Sequence, residues 1–272
     1  MPLFWLRVAL TLYGVGLVYA LVWLWGGRKA LSRIALPAVG LGVCFHFVSL
    51  IEHAMLNGTW APSSMHDMES LLAFLLMVFF FIIYARYKAT APGLAVFPLV
   101  FLMTASAAFR QAPSEPVLPL FVSAQWISVH VALILIGYSA LLFSFIASIL
   151  YLIQERSLKS KKIGGFWSRL PSLATIDDIG YQCLVWGFPF MTLGLIAGAI
   201  VAEARVGSQY FLDPKILISI LMWVVYTVLL YTRGNAGWRG RKAAYLATFA
   251  FATALLAWAA NNLSHTHKFI AP

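Results

Sequence analysis

Six histidines are the side chains of this sequence best suited to hold a metal ion or a metal-containing cofactor. They are His46, His53, His66, His130, His265 and His267. A neutral imidazole is a good axial ligand for the iron of haem. A histidine within an apolar segment can equally well make a hydrogen bond between helices, and its residue type alone does not decide between the two roles.

His130 is a ligand candidate with an aromatic neighbour. Trp126 precedes it by four residues, so the two side chains project from neighbouring positions on one helix face. His265 and His267 are candidates for a second iron ligand, and their spacing does not choose between them.

His46 and His53 form another pair, seven residues apart. Two helical turns separate them, so they lie about 10 Å apart along one face of a helix. We interpret His53, which follows Glu52, as a polar contact between helices. For His46 two alternatives stay open, a contact of the same kind or a second haem near the middle of the membrane.

The composition shows where these side chains must be held. The 272 residues are 62% hydrophobic and only 10% charged, with a mean hydropathy of +0.86, whereas a soluble domain is about 25% charged. Apolar runs of about 20 residues predict membrane-spanning helices rather than barrel strands. We therefore expect an all-α polytopic membrane protein whose residues 1–272 form a single integral membrane domain. The cysteines Cys44 and Cys183 form no CxxC motif, which excludes a thiol-redox pair and a c-type cytochrome.

Eight spans are predicted from the apolar runs. They lie roughly at residues 5–25, 36–56, 68–85, 94–110, 124–153, 179–203, 214–232 and 243–262.

The distribution of basic residues predicts the orientation of these spans. Alternate loops hold 14 of the 19 Lys and Arg residues, and basic loops stay in the cytoplasm. Both termini and the 204–213 loop are then extracytoplasmic, the 154–175 loop is cytoplasmic, and the membrane is the cell (inner or plasma) membrane. The net charge of +10 is thus a topology signal and not a nucleic-acid footprint. All histidines except His46 fall in the outer half of this arrangement, so the candidate site lies at the outer face.

An outer loop at residues 206–215 completes the candidate site. It carries Asp213 and Lys215 on either side of a proline, in a chain with few charges. The alternative is that these residues only begin a helix, since Asp is a good N-cap and Pro suits a first turn. Tyr210 and Phe211 would pack on a flat apolar cofactor, or would be ordinary interfacial aromatics.

Several segments carry a family resemblance. They are Trp126–Val131, Gly137–Leu142, Asp178–Tyr181, Gly187–Pro189, Thr192–Gly194 and the loop at 206–215. Together they resemble the cytochrome c assembly protein family, the haem-handling membrane proteins that include the CcsA, CcmC and HemX types. That family has a tryptophan-rich outer loop of the form WGxxWxWDPKE. Its pattern is matched here by Gly207, Ser208, Asp213, Pro214 and Lys215, whereas its tryptophan positions hold Val206, Tyr210 and Leu212 and its glutamate position holds Ile216.

The resemblance implies a haem-binding protein of cytochrome c assembly, which holds or relays a non-covalent, b-type haem at the extracytoplasmic face. His130 and either His265 or His267 would be the axial ligands. The porphyrin would pack on Trp126, Tyr210 and Phe211, and its propionates would pair with Lys215, next to Asp213, and with Arg205. The resemblance implies no catalytic residue in this chain alone. It implies a membrane partner of the assembly system and, as a further partner, an apocytochrome c.

Within the family, the pattern is closest to the HemX-like branch. CcsA-type members carry two intramembrane histidines, and the corresponding positions near Thr59 and at Tyr231 are not histidine here. The alternative function is therefore a HemX-like regulator or scaffold of haem biosynthesis without catalysis, acting through the cytoplasmic loop at 154–175. A transporter of another substrate that shares the fold ranks last.

Overall fold

The computed structural model describes residues 2–24, 32–58, 60, 62, 64–109, 124–161, 170–206 and 212–260. Within these ranges the protein has eight α-helices and no strand. They are α1 (Pro2–Leu24), α2 (Ser32–Asn57), α3 (Met65–Tyr87), α4 (Gly93–Phe109), α5 (Ala124–Lys159), α6 (Leu173–Val206), α7 (Pro214–Gly234) and α8 (Arg241–Ala259). The all-α fold is confirmed, and each of the eight predicted spans overlaps one helix.

Seven of these helices are long and apolar enough to cross a membrane, so the chain is a multi-pass membrane protein. The exception among the described helices is α4, whose 17 residues extend about 26 Å at 1.5 Å per residue. That length falls just short of a hydrocarbon core of about 30 Å.

The chain divides into two compact units. Unit 1 comprises residues 1–116 and 157–171 and contains α1 to α4, and unit 2 comprises residues 117–156 and 172–272 and contains most of α5 together with α6 to α8. The single domain expected from the sequence stays a prediction.

Glycines bring the helices of unit 1 close together. A Cβ placed on Gly16 of α1 would lie 2.7 Å from the Val39 side chain on α2, and one on Gly42 of α2 would lie 2.8 Å from the ring of Tyr13 on α1. Small residues serve this purpose in membrane helices because lipid provides no hydrophobic drive for helix association.

In unit 2 a repeat of glycines joins α5 and α6. Gly180, Gly187 and Gly194 recur every seven residues along α6, and all three face α5. A Cβ on Gly187 would lie only 2.9 Å from that of Ala140, and one on Gly180 would lie 3.4 Å from that of Ala147. The two helices therefore pack at nearly backbone distance, which fixes side chains on α5 against the carbonyl groups of α6.

A partly buried ion pair joins the helices at one end of unit 2. Nη2 of Arg233, at the end of α7, lies 3.0 Å from Oδ2 of Asp177 on α6 and donates to the Asp177 carbonyl at 3.0 Å. The other carboxylate oxygen accepts a 3.2 Å hydrogen bond from the backbone N–H of Gly240, just before α8. One aspartate therefore connects α6, α7 and the start of α8.

Candidate functional site

The imidazole of His130 is held by a hydrogen bond to the neighbouring helix α6. Its Nδ1 lies 2.7 Å from the backbone carbonyl oxygen of Gly194 on α6. Because a carbonyl can only accept, Nδ1 carries the proton in this bond, and the neutral ring presents the lone pair of Nε2. Among the described residues, Nε2 has no hydrogen-bond partner. A metal-binding histidine is oriented in the same way, through an Nδ1–H bond to a carbonyl.

Gly198 lies one turn further along α6, and its lack of a side chain leaves room for the imidazole of His130. A Cβ on Gly198 would lie 2.5 Å from Cε1 and 2.7 Å from Nδ1 of His130. A side chain at position 198 would therefore push the imidazole away. The sequence did not single out Gly194 and Gly198 as site residues, because two glycines four residues apart signal a close helix contact but not that the contact is made by His130.

Asp213 and Lys215 lie at the start of α7, in agreement with the alternative that these residues begin a helix. Asp213 is buried and is the N-cap, and its Oδ1 accepts a 2.9 Å hydrogen bond from the backbone N–H of Lys215. The half-buried ammonium of Lys215 is nevertheless close enough to interact electrostatically with His130. Lys215 and His130, which are 85 residues apart in the sequence, therefore lie in the same part of unit 2.

Trp126 and Trp223 have different surroundings. Trp126 is 56% exposed and begins the helix that carries His130, so its indole is free to cover a ligand or to face lipid. Trp223, in contrast, holds α7 against α6, because its Nε1–H donates to Thr192 Oγ1 at 3.0 Å and its ring stacks on Phe188. Trp223 is therefore a structural residue that joins α6 and α7.

His46 in unit 1 has partners on both sides of its ring. Its Nδ1 lies 3.2 Å from Tyr13 Oη on α1, and its Nε2 lies 2.9 Å from Ser70 Oγ on α3. The side chain is fully buried. This geometry favours the inter-helix contact over a second haem, since no ring nitrogen is left for a metal.

His53, also in unit 1, makes the polar contact that the sequence analysis assigned to it. Its Nε2 lies 3.2 Å from Asp67 Oδ1 at the start of α3 and 2.8 Å from Asn57 Nδ2. Asp67 also closes a capping box with Ser64. His53 is thus part of the packing at the ends of α2 and α3.

Four predicted site residues, Tyr210, Phe211, His265 and His267, lie outside the described residues. Their roles stay predictions. Within the described residues, no group of three His, Cys, Asp or Glu side chains could hold a bare metal ion. A metal at His130 would thus need a further ligand from elsewhere, or a cofactor that brings its own.

The sequence profile described as Cytochrome C assembly protein matches residues 63–267. The chain belongs to this family. The match includes all of α5 to α8, and therefore every described residue of the His130 site.

Three relatives named "Cytochrome c biogenesis protein CcsA" show the extent of the similarity. The protein of Chlamydomonas reinhardtii is 29% identical over 243 residues, which are 84% of this chain and 65% of that protein. The protein of Guillardia theta is 28% identical over 269 residues, covering 90% of this chain and 86% of its own length. The protein of Pyropia yezoensis is 25% identical over 292 residues, covering 93% and 88%. These relatives favour the CcsA type over the HemX type, and the HemX-like branch receives no support from them.

Proposed function

We propose that this protein binds haem for cytochrome c assembly and holds or relays it at the extracytoplasmic face of the cell membrane. The observation that carries the proposal is the His130 imidazole in a chain of this family. Its Nδ1–H is fixed by the Gly194 carbonyl, and its Nε2 has no hydrogen-bond partner among the described residues.

The residues of the site fit a haem. Nε2 of His130 would ligate the iron, and the carbonyl bond at Nδ1 would hold the ring in the required tautomer. The ammonium of Lys215 interacts electrostatically with this histidine, and a cation beside an axial ligand would pair with a propionate. The exposed indole of Trp126 would cover the porphyrin.

The predicted residues outside the described ranges complete the proposal. His265 or His267 would be the second axial ligand, and Tyr210 and Phe211 would pack on the porphyrin. A haem held by two histidine ligands, in a chain without a CxxC motif for thioether bonds, would be a non-covalent, b-type haem. When bound, haem supplies a redox-active iron and the porphyrin that an apocytochrome receives.

The orientation follows from the basic loops. Both termini and the 204–213 loop would be extracytoplasmic, and the 154–175 loop would be cytoplasmic. The chain would work with a membrane partner and deliver haem to an apocytochrome c whose thiols it does not itself supply. On this proposal the chain alone is not an enzyme.

The test is an absorption spectrum of the purified protein with a pyridine haemochrome assay on the same sample. We expect near-stoichiometric haem b, with the split visible bands of a low-spin iron on reduction. The His130→Ala variant should lose most of its haem, while His53→Ala, whose ring contacts Asp67 in unit 1, should keep it. A wild-type protein that remains haem-free with added haemin, or a His130→Ala variant with full haem content, would refute the proposal.

A further inference from the structure

The end of the α7–α8 connection and the first turn of α8 carry basic side chains, two of which are held against aromatic rings. The guanidinium of Arg241 lies 5.4 Å from the ring centre of Tyr245, and its Nη2 donates a 3.3 Å hydrogen bond to the phenol oxygen. The ammonium of Lys242 lies 5.9 Å from the ring centre of Trp238. Arg239 is exposed beside them. Cation–π contacts of this kind fix the direction of a charge while leaving its N–H groups available.

The backbone under these side chains is held in place. The N–H of Gly240 donates to Asp177, which also pairs with Arg233. The N–H of Trp238 donates to the carbonyl of Thr232 at 2.9 Å. The basic and aromatic side chains therefore project from a fixed support.

The positive charge of this surface is only partly neutralised by the protein, which favours the binding of an anion. The first turn of α8 contains no acidic residue, and its N-cap, Gly240, makes no side-chain capping bond. Cations in the first turn of a helix are repelled by the positive end of the helix dipole. Glu155 on α5 interacts with Arg241, but one carboxylate offsets only one of the three positive charges at Arg239, Arg241 and Lys242.

An apolar stripe continues from the basic end along α8. Tyr245, Phe249 and Leu256 follow Arg241 within one helix face, and they are 53%, 59% and 59% exposed. In a membrane-spanning helix this stripe faces hydrocarbon. The basic end and the exposed apolar stripe therefore match the two parts of a phospholipid, its charged headgroup and its acyl chains.

We propose that the surface formed by Trp238, Arg239, Arg241, Lys242 and Tyr245 binds the phosphate headgroup of an anionic phospholipid. The acyl chains of the lipid lie along Phe249 and Leu256. The guanidinium and ammonium groups donate to the phosphate oxygens, as basic residues at membrane surfaces do. The bound lipid stabilises the ends of α7 and α8 and is independent of any haem at the other end of unit 2.

The test compares lipids retained by the full chain in nanodiscs of phosphatidylcholine, with and without phosphatidylglycerol, counted by native mass spectrometry. Wild-type protein should retain phosphatidylglycerol in preference to phosphatidylcholine. Arg241→Gln with Lys242→Gln should reduce that preference by roughly fivefold for each cation removed. Since both side chains are exposed, the double variant should keep its helix content. If it does not, Lys242→Gln alone is measured in the same way.

The matched control is Arg86→Gln with Lys88→Gln, which removes an exposed Arg and an exposed Lys at the end of α3 in unit 1, where Lys88 also lies over an aromatic ring, that of Tyr84. It should leave the preference nearly unchanged. Equal retention of the two lipids by the wild type, equal losses in both double variants, or displacement of the lipid by inorganic phosphate would each overturn the proposal.

Discussion

His46 in unit 1 and His130 in unit 2 are both histidines of membrane-spanning helices, yet their neighbours use them differently. The ring of His46 bonds Tyr13 on one side and Ser70 on the other, so it joins three helices. The ring of His130 bonds one backbone carbonyl, and its second nitrogen has no partner within the described residues. An imidazole in a membrane is thus structural when both nitrogens are satisfied, and it is available as a ligand when one is not.

The surroundings of the two rings also differ in the way expected of a structural histidine and a ligand. His46 is covered by polar and aromatic side chains, including Phe74 with its ring centre at 5.7 Å. His130 lies against Gly198, which has no side chain, and near the charge of Lys215. The imidazole of His130 itself fills the space over Gly198, and its Nε2 has no partner among the described residues, whereas both ring nitrogens of His46 have one.

The comparison is tested most strongly by His46→Ala. This change leaves the buried hydroxyls of Tyr13 and Ser70 without their partner, at a cost of about 1–3 kcal/mol for each. The midpoint of thermal unfolding in detergent should fall clearly, while the haem content per folded protein should be unchanged. Loss of haem from a His46→Ala variant that stays stable would mean that His46 is a haem ligand, and the contrast between a structural His46 and a ligand His130 would be wrong.

The control for that experiment is His53→Ala in the same unit. His53 is 38% exposed in its contact with Asp67, and partly exposed ion pairs contribute only about 0–1 kcal/mol. Its unfolding midpoint should therefore fall much less than that of His46→Ala.

Gly198→Ala is the next largest test, because it acts on the ligand ring without touching its nitrogens. The added methyl group would lie 2.5 Å from Cε1 of His130, so the ring must move off the Gly194 carbonyl. Outer contacts of a metal ligand typically contribute 10–100-fold to affinity, and we expect haemin affinity to fall by roughly that factor. A shift of the iron toward high spin, seen in the absorption spectrum, should accompany the loss.

Gly187→Ala is its matched control on the same helix. Gly187 meets Ala140 at 2.9 Å, so this variant strains the α5–α6 contact away from the histidine. It should lower stability with little change in the spectrum of bound haem. If both variants changed the spectrum equally, Gly198 would act only through helix packing.

The lengths of the apolar runs predicted the helices well, and their ends less well. α5 continues to Lys159, past the predicted end at 153, and α6 begins at Leu173 rather than at 179. The extra turns are polar, with Gln154 and Arg156 in one and Asp177 and Asp178 in the other. Hydropathy registers only the part of a helix that lies in hydrocarbon, so it misses turns that project beyond it.

The candidate site was predictable in its residue types and not in its contacts. His130 and Lys215 were identified from the sequence, but the acceptor of the histidine is a backbone carbonyl, and every residue has one. The partners of His46 lie 33 and 24 residues away in the sequence, on other helices. Such contacts depend on how helices pack, and spacing within one helix carries no information about them.

Helix caps give a smaller test in which the two units should respond alike. Asp213 caps α7 in unit 2, and Ser64 caps α3 in unit 1. Asp213→Ala and Ser64→Ala should each cost about 1 kcal/mol of stability, whereas Asp213→Asn should cost little because Asn caps as well as Asp. A loss of haem affinity in Asp213→Asn without a loss of stability would show that the charge of Asp213 belongs to the ligand site as well.

Trp223→Phe is expected to have the smallest effect, because it removes one hydrogen bond and keeps the stacking on Phe188. Hydrogen bonds between membrane helices contribute about 0.6 kcal/mol on average. Thr192→Val removes the same bond from the other side, together with the hydrogen bond from Thr192 Oγ1 to the Phe188 carbonyl, so the loss of unfolding free energy in the double variant should equal the loss in Thr192→Val alone. Additive losses would mean that Trp223 and Thr192 support unit 2 through separate contacts. Unchanged haem affinity in all three variants would show that Trp223 and Thr192 have a structural role, as His46 does, and do not belong to the ligand site of His130.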